Sequence, residues 1–259
     1  MPQQPLDGLS IPAFFALFAI TSLALYEIGF RVGRWWQART PGEQEGPTGV
    51  LVGSILGLLA FLLAITMGMA SDRFDTRRGL VLEEANAIGT TYLRAGYLPE
   101  PASTEIRTLL REYVPLRVAP SDRATLAANI AGSAALLDEL WVLAEEVARA
   151  PEANDVTALF IESMNETIDL NTTRVIAGVY ARVPETVLWL LLGGSVLSLA
   201  MVGYSAGTTG QRSVLTAVVL VLAFGAVLTL VVDLDRPQDG FIQVSQVPMI
   251  QLMEQLGPP

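Results

Sequence analysis

Four apolar runs stand out along the chain: Ile11–Phe30, Val50–Ala70, Thr186–Ser205 and Ser213–Val232. Each is long enough to cross a bilayer as a helix, which takes about 20 residues. Pro12 sits where a first helical turn accepts proline. RTPGEQEGPTG joins the first two runs, and the shorter AGTTGQR joins the last two. The pattern therefore predicts two helical hairpins.

The second run does not stop at the membrane edge. From Phe61 to Arg94 the chain reads FLLAITMGMASDRFDTRRGLVLEEANAIGTTYLR, with no proline and no cluster of turn residues. This predicts one helix passing from lipid into water and ending near Ala95. GYLPEP stops it through Pro99 and Pro101. A helix from Ser103 to about Val118 follows, with Ser103 as N-cap and Pro115 as its kink or end. After APSD, with Ser121 or Asp122 as N-cap, another helix runs to about Ala150. It places Leu126, Ile130, Leu137, Leu140, Leu143 and Val147 on one amphipathic stripe. Beyond Pro151, a long helix from about Glu152 toward Arg182 enters the third run across VPET. No stretch alternates as a strand does.

These elements predict an all-α membrane protein with four transmembrane helices in two hairpins and a helical extramembrane layer between them. The expected divisions are 1–70, the first hairpin; 71–185, the layer, continuous with spans two and three; 186–232, the second hairpin; and 233–259, a C-terminal tail. MPQQPLDGLS lacks a positive region and is followed by no A-x-A-like site, so the first run reads as a retained anchor.

Composition narrows the chemistry. The chain has 259 residues, 51% of them hydrophobic and 16% charged, with a mean hydropathy of +0.46. That balance suits spans plus a substantial water-exposed part. All 16 basic residues are arginine, and there is no His or Cys. Histidine bases, Schiff-base lysines, cysteine nucleophiles and Cys/His metal sites are thereby excluded. Glu83 and Glu84 are neighbours on a helix and point about 100° apart, so they do not form a catalytic carboxylate pair. No enzyme activity and no cofactor are expected. The net charge of −10 argues against nucleic acid.

Near the membrane, Arg31, Arg34, Arg39 and Arg212 lie on the hairpin-loop side. Arg73, Arg77, Arg78, Arg174, Arg182 and Arg236 lie on the other. The excess favours a cytoplasmic layer and cytoplasmic termini. Glu27 and Arg31, four apart, read as an interfacial pair rather than an ion site. Trp35 and Trp36 read as interfacial belt residues. GYSAGTTGQRS lacks the ending of a phosphate loop and reads as a membrane turn. Gly53 and Gly57 in GSILG fit close helix packing. The sequons at Asn165 and Asn171 carry no weight on a cytoplasmic helix.

The charged half of the second helix has two readings. Asp75 and Arg78 share a face, as do Asn86 and Thr90. Such a helix either packs around an axis in an oligomer or carries solvated charges with arginines at the headgroups.

DRFDTRRGLVLEEAN, Asp72 to Asn86, resembles the membrane-exit segment of bestrophins. The bacterial pattern is an Asp-Arg pair, an Arg five residues later, a Leu two further on and an Asn six beyond. Asp72, Arg73, Arg78, Leu80 and Asn86 match it. The longer ASDRFDTRRGLVLEEANAIGTTYLRAGYLPEP, and VVDLDRPQDGFIQVS after the fourth run, are similar to a bacterial bestrophin-like domain family. Two departures stand out. The aromatic pair after Asp-Arg is Phe74 and Asp75 here. The consecutive acids of the eukaryotic calcium clasp are reduced to the spaced Asp233, Asp235 and Asp239.

The resemblance implies a homo-oligomeric, pentameric ion channel in lipid, conducting small inorganic ions, with span two lining a narrow apolar neck. The neck positions fall on Gly57, Phe61 and Ile65, four apart on one helix face. A Phe and Ile ring can gate by dewetting, and Gly57 stands where a bulky residue is usual. The same side chains equally suit lipid or a bundle core. Of the exit motif Asp72, Arg73, Arg78 and Asn86, the last three are expected to hold the layer against the membrane through hydrogen bonds and ion pairs. Asp233, Asp235 and Asp239 are candidates for an acidic mouth favouring cations. The alternative is a non-conducting membrane scaffold that binds a partner through its helical layer.

Overall fold

The computed structural model describes residues 5–40, 48–120, 122–151, 153–236 and 240–258, and every regular element among them is a helix. After a 3-10 turn at Pro5–Gly8 come α1 (Ile11–Arg39), α2 (Thr48–Ala95), α3 (Ala102–Arg117), α4 (Arg123–Arg149) and α5 (Asp155–Val175). A π segment at Ile176–Tyr180 leads to α6 (Glu185–Thr209), α7 (Val214–Asp235) and α8 (Val247–Leu256).

Local chemistry accounts for most boundaries. Ser10 caps α1 by accepting from the Ala13 N–H, with proline in the first turn. α2 runs unbroken for 48 residues, about 72 Å at the usual rise. Asp122 caps α4 through the Thr125 N–H at 2.8 Å; Ser121 lies outside the described residues. Asn154 and Thr157 form a capping box on α5. Ser103 is not the cap of α3. The helix begins one residue earlier, Ser103 is 4% exposed, and the Glu100 carboxylate takes the Thr104 N–H instead.

The expected unbroken passage from α5 into span three reaches only Tyr180. The helix widens to π there, and Ala181–Pro184 is not helical. Pro184 has no N–H to donate and disfavours helix in the residue before it. The freed Val183 N–H is held by Asp235 at 2.6 Å.

The chain divides into two compact units, Phe74–Ala181 with Gln243–Pro259, and Pro2–Arg73 with Arg182–Ile242. The first unit is built around Ile88, Ile106, Leu110, Tyr113, Leu140, Phe160 and Met164, each 0% exposed. Leu137, Leu140 and Val147 of the predicted α4 stripe are buried there, while Leu126, Ile130 and Leu143 are half-buried. The segment 233–259, expected as a tail, is shared out. Its α8 packs on α3 through buried Met249 and Leu252, and the part up to Ile242 stays with the spans.

In the second unit α1 lies against α6 and α7. Backbone meets backbone at four glycines. A Cβ on Gly29, Gly33, Gly203 or Gly207 would come within 2.3 Å of a carbonyl oxygen on the facing helix. The pairing expected of Gly53 and Gly57 is absent, since a Cβ at either meets no atom within 4 Å. Such close approach through small residues is how helices associate in lipid. α2 touches α6 through Leu59, which lies against Gly194, and leaves other faces exposed.

Among the described residues five helical stretches, not four, are long and apolar enough to cross a membrane: α1, α2, Ala124–Arg149, Asp155–Thr209 and α7. The extra one is α4.

Candidate functional site

The lipid-length half of α2 turns its expected neck residues outward. Phe61 is 62% exposed and Ile65 47% exposed, and Gly57 is exposed one turn before them. Leu59 and Leu63, between them in sequence, are each 4% exposed. Among the described residues α2 therefore has one face buried against its own chain and an apolar face left exposed. Thr66 lies on the buried side and returns its hydroxyl to the Leu62 carbonyl at 2.8 Å.

The exit motif is also mostly outward. Asp72, Arg78 and Asn86 are exposed and Arg73 is half-buried. Arg78 makes no hydrogen bond or ion pair among the described residues. Arg78 is thus outside any pairing among the described residues, and the most enclosed carboxylate of α2 lies six residues on, at Glu84.

Glu84 is 0% exposed on the apolar stripe Leu80, Val81, Ala85 and Ile88. Its Oε1 accepts from Arg117 Nε at 2.6 Å and from the Tyr113 hydroxyl at 3.3 Å. Its Oε2 accepts from Arg174 at 2.5 Å. Asn171 donates to the Tyr113 oxygen at 2.8 Å, and Arg174 donates to Gln246 Oε1 at 2.7 Å. Elements α2, α3, α5 and the residue preceding α8 thus meet on one carboxylate. Burial pushes the Tyr113 phenol well above its ordinary value, against the pull of Arg117. Burial lowers the Arg174 guanidinium, and Glu84 opposes this. Two guanidiniums and a hydroxyl take the place of the water this enclosed carboxylate has lost. The signal in the sequence was an acid on an otherwise apolar stripe. Nothing in the spacing identified Arg117 or Arg174 as its partners.

The expected acidic mouth takes another form. Asp233 is 4% and Asp235 1% exposed. Asp233 accepts from the Phe241 and Ile242 N–H groups at 2.7 and 3.0 Å. Asp235 accepts from Val183 N–H and from Arg182 at 3.1 Å, and Arg182 also donates to Asp7 at 2.7 Å. Arg236 donates to the Leu9 carbonyl at 2.8 Å and to the Leu6 carbonyl. Acids at the end of α7 oppose the helix dipole, and these donors compensate for it. Asp233 and Asp235 thus hold chain segments together from buried positions, where the expected acidic mouth would have them exposed. Asp239 lies outside the described residues.

At the other end of α1, Glu27 accepts from Arg31 at 2.9 Å and from Arg212 at 2.6 Å. The expected pairing of Glu27 with Arg31 is present, widened to a triad by Arg212. In GYSAGTTGQRS, Gly203–Thr209 complete α6 and only Gly210–Ser213 lie between α6 and α7, with Gly210 in the left-handed region at φ 72°. Trp35 and Trp36 are exposed, at 52% and 44%.

The family model described as Bestrophin-like domain matches residues 15–249. A solved bacterial bestrophin homologue from Klebsiella pneumoniae, carrying one substitution, superposes with a TM-score of 0.70 at 14% identity. The match covers 93% of this chain and 96% of that one. A second variant of that homologue gives 0.68 at 15% identity, over 95% of this chain and 97% of that one. The homologue solved by Zn-SAD phasing gives 0.64 at 14% identity, over 94% of each. At such identities the likeness is one of fold. Among curated proteins none matches.

Proposed function

This chain belongs to the Bestrophin-like domain family, and on that premise we propose that it forms an ion channel in which several copies, five on the family pattern, surround an axis lined by α2. The observation that carries the reading is the outward apolar face of α2 at Gly57, Phe61 and Ile65. One chain encloses no water path with it, whereas a ring of chains places it around a common axis. Phe61 and Ile65 then form an apolar constriction that passes ions when wetted. The exposed Asp72, Arg78 and Asn86 contact neighbouring copies.

In this reading α1, α2, α6 and α7 are the four spans, in two hairpins. α4 stays outside the bilayer, because its Leu137, Leu140 and Ala144 belong to the core of the helical unit. The arginine excess beside that unit supports a cytoplasmic placement in a bacterial inner membrane.

The chain has no cysteine, so single cysteines report cleanly. In vesicles, Phe61→Cys and Ile65→Cys should react with a water-soluble thiol reagent and change the current across planar bilayers. Cysteine at Val219, exposed on α7, which does not line the proposed axis, should not. A monomeric mass in detergent, or no current from the oligomer, would return the chain to a non-conducting scaffold.

A further inference from the structure

Arginines and indoles crowd the end of α1 that follows its apolar run. Arg31, Arg34, Trp35 and Arg39 recur at three- and four-residue spacings and share a face. It is opposite the buried Tyr26, Gly29, Phe30 and Gly33. Arg212 joins them through Glu27 and lies 5.4 Å from the Phe30 ring centroid.

Charge there is in excess. The single Glu27 carboxylate is divided between Arg31 and Arg212. Arg34 is exposed and makes no hydrogen bond or ion pair among the described residues. The Arg39 guanidinium stacks 3.8 Å from the Trp35 ring centroid. Stacking fixes its plane and leaves its N–H edges free for another acceptor. Glu43 and Glu45 follow in sequence, in a segment outside the described residues, and even counted in full they do not cancel four arginines.

Depth identifies the acceptor. Ile11–Phe30 fills a hydrocarbon core about 30 Å thick. Arg31–Arg39 then rises about 13 Å further, through the level of lipid phosphates. Exposed indoles belong at that level and not in bulk water. Guanidinium forks match phosphate oxygens two at a time. A zwitterionic headgroup brings its own cation to a site already rich in arginine; an anionic one does not.

We propose that this arginine–tryptophan face of α1, completed by Arg212, is a binding site for the phosphate of an anionic phospholipid headgroup. The site does not depend on whether the protein conducts.

Native mass spectrometry of the intact protein in neutral detergent tests it, by titration with phosphatidylglycerol or phosphatidylcholine of the same acyl chains. Phosphatidylglycerol should bind about 25-fold more tightly, at roughly fivefold for each of Arg34 and Arg39 near a headgroup. Arg34→Gln with Arg39→Gln should cut the preference at least fivefold and leave thermal unfolding unchanged, since both side chains are exposed. Arg149→Gln, 76% exposed in the other unit, should leave the preference intact. Equal affinity for the two lipids, or a preference that survives the double substitution, would overturn the proposal. So would a preference erased by millimolar inorganic phosphate at constant ionic strength, which would make this a site for soluble anions.

Discussion

Gly29 of α1 faces the backbone of Ala200 in α6 so closely that a Cβ on Gly29 would lie 2.1 Å from the Ala200 carbonyl oxygen. Gly203 stands in the reciprocal position against Tyr26, also at 2.1 Å. Neither clash can be relieved by turning a side chain, because the atoms struck are backbone.

Gly29→Ala or Gly203→Ala should therefore force the two helices apart. Ordinary overpacking costs about 1–3 kcal/mol, and a backbone clash belongs at or above the upper end. Gly53→Ala, with open space around it, should cost nothing within one chain. Thermal unfolding in detergent, followed by tryptophan fluorescence, compares the three. Equal midpoints would show that α1 and α6 do not meet through these glycines.

Removing Glu84 strands Arg117, which is 6% exposed. Breaking such a buried pair costs roughly 3–5 kcal/mol. Glu84→Ala should lower the melting midpoint sharply or prevent folding, and Glu84→Gln, which keeps an acceptor, should cost less. Arg78→Ala should act in the opposite place. Its exposed side chain carries little stability in one chain, so melting of the separated subunit should hardly move while the oligomer mass falls. Size-exclusion light scattering beside calorimetry separates the two. A large loss of subunit stability on removing Arg78 would move the structural pairing back to the exit motif.

Tyr113 gives a pH signature. Its phenol is pushed up by burial, so the folded protein keeps a proton that the unfolded chain releases above about pH 10. The stabilisation is complete below that pH and is lost as pH rises toward the folded value. Tyr113→Phe should lower stability by about 1–3 kcal/mol at neutral pH, through lost hydrogen bonds to Glu84 and Asn171. It should also flatten the decline between pH 9.5 and about 11. Denaturant midpoints across that range measure both effects, and an undiminished alkaline decline would show that other groups cause it.

What the sequence determined by itself is local. No proline stands between Phe61 and Arg94, so α2 runs without a break, because a helix continues wherever each successive turn can close its own hydrogen bonds. Pro12 in a first turn, Asp122 at a cap, and Pro99 and Pro101 after a stop follow from the same short-range rules. Tertiary structure decided everything that depends on what faces what. Gly53–Gly57 and Gly29–Gly33 carry the same four-residue spacing, and only the second pair meets another backbone. Glu83 and Glu84 are adjacent acids. One is exposed; the other is enclosed by arginines 33 and 90 residues away. Asp233 and Asp235 read as a charged rim and are buried, because a turn eight residues on and the N–H freed before Pro184 reach them. Spacing reports which side chains share a face, but the partner of that face comes from distant chain, and no local rule carries its identity.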